Sequence, residues 1–249
     1  MKEKLSYAQQ VCVKAAGKAM QSADMIWPGA RIGVAVSGGM DSFVLLKVLQ
    51  LRQRIVPFRF DFMAIHLNPG FDAGQSHAPL FAWLKSAGVA GHLELTDYGP
   101  RGHSDENQRN SACFFCARLR RKRLFALCQD YGLTHLAFGH NADDLVTTFL
   151  LNLIQTGRVE GMRFKEDFFG GGLRVIRPLL LIEKKDIARA ARQWELPIWS
   201  NPCPSAGHSA RAGMQDTLAG MAGGSRLKTK NIFNGLIRWQ WGKDVISAG

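Results

Sequence analysis

Ile32-Gly33-Val34-Ala35-Val36-Ser37-Gly38-Gly39-Met40-Asp41-Ser42-Phe43-Val44-Leu45-Leu46-Lys47-Val48-Leu49 is the most informative stretch of the chain. Its first five residues are a short, partly β-branched apolar run and predict a buried strand. Its end places bulky apolar groups at Leu45, Leu46 and Leu49, which predicts a helix. Asp41 or Ser42 suits the start of that helix. Strand, glycine turn and helix N-terminus together let backbone N–H groups approach an anion without side chains intervening. The helix end adds partial positive charge.

Ser37-Gly38-Gly39-x-Asp41-Ser42 lacks the Gly-Lys-Ser/Thr of a Walker loop and the third glycine of a dinucleotide fingerprint. It resembles the PP-loop of N-type ATP pyrophosphatases, which transfer AMP to a substrate oxygen and release pyrophosphate.

On either side, strand and helix patterns alternate. Residues 5–25 predict an N-terminal helix closed by Trp27-Pro28-Gly29. Further strands are predicted at 60–67, 92–95, 134–138 and 173–176. Further helices are predicted at 78–87, 112–131, 145–154 and 183–194. Residues 99–111 read as irregular, and the glycine-rich residues 157–172 as a mobile connection. The expected fold is α/β: a doubly wound, parallel, five-stranded sheet with helices on both faces. The expected division is 1–28 helical segment, 29–200 nucleotide domain and 201–249 C-terminal segment. In the last, Lys228, Lys230, Arg238 and Lys243 lie among Phe233, Trp239 and Trp241 as a basic, aromatic tail. Ligands of such sheets sit beyond the carboxyl ends of the strands. The glycine loop, His66-Leu67-Asn68 and Gly139-His140-Asn141-Ala142-Asp143-Asp144 all fall there.

The chain has 249 residues and a formal charge of +12. That excess points to a polyanionic partner, of which nucleic acid is the usual one. Met1-Lys2-Glu3-Lys4-Leu5 lacks an apolar signal core, and no run approaches the ~20 apolar residues of a membrane span. A cytoplasmic location without membrane association is expected. The five cysteines are an odd count, which argues against a disulfide framework.

Asp143 and Asp144 open a helix after a strand. Beside a polyphosphate they suit magnesium, with Asp41 as a third carboxylate. The bland reading is capping of the helix. His140 either contacts phosphate or packs. Cys113-Phe114-Phe115-Cys116 has metal-type spacing, and Cys203 supplies a third thiol. The spacing alone leaves open a redox pair, a zinc half-site, two core cysteines or a [4Fe–4S] cluster. His103 or His208 would complete a zinc site. Cys12 and Cys128 read as buried thiols. Arg118, Arg120, Arg121, Lys122 and Arg123 crowd the same helix, and phosphate-backbone contacts are expected of Arg118, Arg120 and Arg121.

In this order the motifs resemble the tRNA 2-thiocytidine synthetase (tRNA-cytidine 2-sulfurtransferase) family. Cys113-x-x-Cys116-Ala117-Arg118-Leu119-Arg120-Arg121 is similar to its cysteine segment. Gly139-His140-x-x-Asp143-Asp144 with Phe149-Leu150-x-Asn152 is similar to its second nucleotide segment. Gly157-x-x-x-Gly161-Met162, Ile176-Arg177-Pro178-Leu179, Lys185-Asp186-Ile187 and Pro202-Cys203 follow in family order, and Arg211 falls near a family arginine.

The resemblance implies an adenine nucleotide alpha hydrolase-like fold and a transferase that converts ATP to AMP and pyrophosphate. Its target is C2 of cytidine 32 in the tRNA anticodon loop, reached through an adenylated intermediate. It further implies nucleotide contacts from Ser37, Gly38, Gly39, Asp41, Ser42, Leu67, Gly139, His140 and Asp144. Magnesium falls to Asp143 and Asp144, and a [4Fe–4S] cluster to Cys113, Cys116 and Cys203. Asp41 and the three cysteines are the implied catalytic set, and Arg118, Arg120, Arg121 and Arg211 the RNA contacts. The implied partners are tRNA and a sulfur donor, either a cysteine desulfurase or inorganic sulfide. A homodimer is left open. Three departures stand out: Met40 where a lysine is common, no second cysteine after Cys203, and a shorter tail. The readings weighed against this one are the same chemistry on another nucleotide or a small molecule, and a zinc-stabilised RNA-binding protein.

Overall fold

A computed structural model describes residues 4–200, 202–207 and 209–242. The elements run α1 (Tyr7–Ser22), β1 (Arg31–Val36), α2 (Met40–Gln53), β2 (Asp61–Asn68), α3 (His77–Ala87), β3 (Gly91–Leu95), α4 (Tyr98–Gly102), α5 (Ala112–Asp130), β4 (His135–Ala137), α6 (Ala142–Thr156), β5 (Lys165–Phe168), β6 (Leu173–Ile176), α7 (Lys184–Gln193), α8 (Ala210–Ala222) and α9 (Arg226–Trp241).

The sheet order is β3-β2-β1-β4-β6-β5. Five strands are parallel, and β5 runs antiparallel to β6 at the edge. This corrects the expected strand count from five to six. It also corrects the expected mobile connection at 157–172, which holds β5 and a short 3-10 turn at Phe169–Gly171. Lys165-Glu166-Asp167-Phe168 has no apolar run to signal a strand, and charges of this kind suit an exposed edge. Arg174 and Arg177 pair with Asp167 and Glu166 across this hairpin.

The two faces of the sheet bury different sets. On one face α1, α2 and α7 pack through Cys12, Val13, Ala16, Phe43, Leu46, Leu49, Ile187 and Ala190. On the other, α5 lays Leu124, Leu127 and Cys128 on Ile65, Leu67, Leu136 and Val175. The N-terminal helix is thus part of the main core. The basic tail forms α8 and α9, which cover α6 through Met214, Leu218, Ile232 and Phe233 against Val146 and Leu150. Lys243 and His208 lie outside the described residues. Among the described residues no helix is long and apolar enough to cross a membrane.

The chain builds outward from β1 to β2 and β3 on one side, and through β4 to β6 and β5 on the other. β1 and β4 are neighbours, so the order reverses between them. Crevices beyond the strand ends at such a reversal are where open α/β sheets take ligands. The glycine loop follows β1 and Gly139–Asp144 follows β4, so the reversal brings the two motifs face to face.

Candidate functional site

The loop after β1 is held by its own hydroxyls. Ser42 Oγ donates to the Gly39 carbonyl at 2.8 Å and accepts from the Ser37 N–H at 3.3 Å. Gly38 has φ of +92°, which L side chains rarely adopt. A Cβ there would also lie 2.4 Å from Trp199 Cε2. Trp199 donates its backbone N–H to the Gly38 carbonyl at 3.1 Å. Its ring stands edge-on to Phe43 and His66, at centroid distances of 5.5 and 5.6 Å. His66 lies in the strand-end segment that the sequence marks, whereas no local pattern singles out Trp199, which reaches the loop through tertiary packing.

Across the crevice, Gly139 lets the β4 end close on α2. A Cβ there would meet the Asp41 carbonyl carbon at 2.9 Å and Ser42 N at 3.1 Å. Asn141, which the sequence reading passes over, is the buried hinge of the site. Its side-chain oxygen caps α6 by accepting from the Asp143 and Asp144 N–H groups at 2.9 and 3.1 Å. Its amide donates to Asp41 Oδ1 at 2.9 Å. Asp144 returns the capping box from Oδ2, accepting the Asn141 N–H at 3.1 Å, and its Oδ1 pairs with Arg211 at 3.2 Å. Asp143 Oδ2 accepts the Lys184 N–H at 2.8 Å. The helix-capping reading is therefore realised for Asp144, and in the same geometry Asp144 belongs to a linked group: Asp41, Asn141, Asp144 and Arg211.

Burial raises the Asp41 pKa, and the Asn141 hydrogen bond opposes the rise. Burial lowers the His140 pKa to about 3, with Arg177, Arg211 and Arg121 adding to the effect. Its buried Nδ1 has no hydrogen-bond partner among the described residues. His66 donates from Nδ1 to the Val36 carbonyl at 2.9 Å, and burial lowers its pKa to about 4. Leu67 is buried, and its side chain joins the α5 core on the opposite face.

The cysteines sit at the same end of the sheet. Ser111 caps α5, and Cys113 and Cys116 lie in the first turns of that helix. Cys113 is exposed, and Cys116 and Cys203 are half-buried. Burial raises the Cys116 pKa; Arg120 opposes this, while Cys203 and Cys113 reinforce it. All three thiols thus share one neighbourhood. Among the described residues no three His, Cys, Asp or Glu side chains gather closely enough to hold a metal ion. His103 has both ring nitrogens engaged, with the Gly99 carbonyl at 3.0 Å and Ser205 Oγ at 2.8 Å. With Nδ1–H donating to that carbonyl, Nε2 is the acceptor of the Ser205 hydroxyl, and the two contacts tie the Cys203 segment to α4. Cys12 and Cys128 are core thiols, each raised to about 12 by burial.

The five cations of α5 separate by position. Arg118, Arg121 and Lys122 are exposed. Arg123 is bound to Glu94 at 2.8 Å. Arg120 is half-buried and turned toward Cys116, and Arg211 is drawn into the carboxylate group.

A family model described as "PP-loop domain" matches residues 11–203. The tRNA-cytidine(32) 2-sulfurtransferase of Geobacter sulfurreducens is 36% identical over 193 residues, covering 78% of this chain and 75% of that protein. The protein of the same name from Pseudomonas entomophila is 34% identical over 225 residues, covering 89% and 81%. Among solved structures, the U34-tRNA thiolase NcsA from Methanococcus maripaludis, with its [4Fe-4S] cluster, aligns over 93% of this chain and 79% of its own. The TM-score is 0.73 at 21% identity, a likeness of fold.

Proposed function

The chain belongs to the PP-loop family and, within it, to the tRNA-cytidine(32) 2-sulfurtransferases, and we propose that it thiolates tRNA at C2 of cytidine 32 with consumption of ATP. The observation that carries this reading is the meeting of two kinds of chemistry at one sheet end. The glycine loop faces a carboxylate and arginine group, and Cys113, Cys116 and Cys203 form a further group around the start of α5.

The backbone N–H groups of Ser37 to Ser42, with the α2 N-terminus behind them, hold the phosphates of ATP. Asp41, Asp143 and Asp144 take the accompanying magnesium ion, directly or through water. Arg211, half-buried against Asp144, is placed to receive negative charge as pyrophosphate leaves. The cytidine O2 displaces pyrophosphate from the α-phosphorus, which makes AMP the later leaving group at C2. Leu67 and Gly139 offer backbone at the two strand ends that border the nucleotide.

Cys113, Cys116 and Cys203 would hold a [4Fe–4S] cluster. Three soft thiol donors fit a cluster with one iron left open. When bound, the cluster supplies the sulfur nucleophile. That sulfur comes from a cysteine desulfurase or from inorganic sulfide. Exposed Arg118 and Arg121 meet the tRNA backbone.

Mass spectrometry of nucleosides from a deletion strain tests the proposal. Loss of 2-thiocytidine, restored by the wild-type chain and not by Cys203→Ala, is the expected result. Unchanged 2-thiocytidine with another thionucleoside missing moves the target. No change in any thionucleoside refutes tRNA thiolation.

A further inference from the structure

Arg120 stands apart from the other cations of its helix. It lies one turn after Cys116, four residues on, so the two side chains share one face of α5. That face turns inward, whereas Arg118, Arg121 and Lys122 turn to solvent. Arg120 Nε is buried without a hydrogen-bond partner among the described residues. Neither a carboxylate nor any other hydrogen-bonding group pairs with its guanidinium among those residues. The two groups whose charge it feels or perturbs are Cys116, toward the thiols, and His66, beneath the glycine loop.

A buried guanidinium nitrogen without a partner is costly, and arginines drawn inward are ordinarily paired with an anion. Three thiolates gathered beside it would present that anion. Three thiolates drawn together repel one another, and that repulsion calls for a neighbouring cation. The exposed arginines cannot serve, because water screens them.

We propose that Arg120 is the counter-ion of the sulfur centre held by Cys113, Cys116 and Cys203, and not a contact to the tRNA backbone. This rests on the cluster reading above. Arg120 is a positioning residue in this role: it offsets the negative charge of the thiolates and sets how readily the centre accepts an electron, since net charge and hydrogen bonds to sulfur tune such centres.

The test uses the full chain, reconstituted anaerobically with iron and sulfide, as wild type, Arg120→Lys, Arg120→Met and Arg121→Met. Arg120→Met is expected to retain iron against a chelator about tenfold to a hundredfold less well, the range for lost support around metal ligands. Its midpoint potential is expected to move to a more negative value. Arg120→Lys should recover most of both properties, and Arg121→Met should leave both as in wild type. The salt dependence of tRNA binding should flatten for Arg121→Met and not for Arg120→Met. An Arg120→Met protein with wild-type iron retention and potential but a flattened salt dependence would make Arg120 a phosphate contact and overturn the proposal. Equal loss of iron in Arg120→Lys and Arg120→Met, with both folded by circular dichroism, would mean that shape matters and charge does not, which also overturns it. Failure of the wild type to take up iron defeats the cluster reading itself, and the counter-ion role with it; that outcome is visible in the wild type alone.

Discussion

Asn141 joins two halves of the site with one small amide. Its oxygen caps α6 and its nitrogen holds Asp41, a partner 100 positions away in the chain. Asn141→Ala removes a helix cap, expected to cost about 1 kcal/mol, and leaves the half-buried Asp41 carboxylate without its donor. Urea unfolding should show a loss of about 2 kcal/mol in all, and ATP titration a weaker complex. An Asn141→Ala protein with wild-type ATP affinity would remove Asn141 from the site. Among the cysteines, Cys116→Ala is expected to abolish tRNA thiolation, whereas Cys12→Ala should cost only about 1 kcal/mol of stability, typical of a buried truncation, and leave thiolation in place. The same assay on both variants checks this. The glycine loop, the Asp143–Asp144 pair and the Cys113–Cys116 pair were visible as short motifs, whereas Cys203 lies far along the chain. Asn141 sits inside the quoted motif, yet its bond to Asp41 is tertiary and no spacing announces it. The inward turn of Arg120 was equally hidden, since a run of five cations does not say which side of a helix meets the core.

At the scale of elements, the loop after β4 approaches α2 closely because Gly139 has no side chain. Gly139→Ala puts a methyl group about 3 Å from the α2 backbone, and backbone does not yield as a side-chain tip does. Both elements must shift, for a loss of about 1–3 kcal/mol by overpacking, and the distance between the loop and the carboxylates changes with them. ATP affinity is expected to fall further than thermal stability, and calorimetric binding beside a melting curve separates the two. Wild-type affinity would show that the crevice tolerates widening. The parallel strands were legible from their apolar runs, and the helices between them from caps and periodicity. β5 was not, because Lys165-Glu166-Asp167-Phe168 is a strand only through its pairing with β6. α8 and α9 were not either: glycine, alanine and serine, then mixed bases and aromatics, obscured the apolar contacts that seat them on α6.

Over the whole molecule, buried His66 and His135 and half-buried His140 set an acid limit. Burial lowers His66 and His135 to about 4 and His140 to about 3, against an ordinary histidine value of 6.5. Between those values the unfolded chain binds protons that the folded chain refuses. The stability these groups contribute is therefore complete above about pH 6.5 and is lost as pH falls toward 4. The slope is at most about 1.4 kcal/mol per pH unit for each histidine. Urea midpoints at pH 7, 6 and 5 should fall steadily, before most carboxylates titrate; a flat series over that interval contradicts the assignment. The surface charge makes a second prediction at this scale. Arg118→Glu with Arg121→Glu should weaken tRNA binding and shrink its salt slope by roughly 0.7–0.9 for each phosphate contact removed. Unchanged affinity and slope would place the tRNA on another face.

The indole of Trp199 against Gly38 makes the phosphate loop a one-way berth. With that flank shut and Gly38 itself buried, the reachable backbone runs from exposed Ser37 to the half-exposed Gly39, Met40 and Asp41. On the proposed function, a triphosphate would come alongside from the Asp41 and Arg211 quarter. The handedness of its docking is thus decided before any base is recognised, by a ring that lies only four residues upstream of the third thiol.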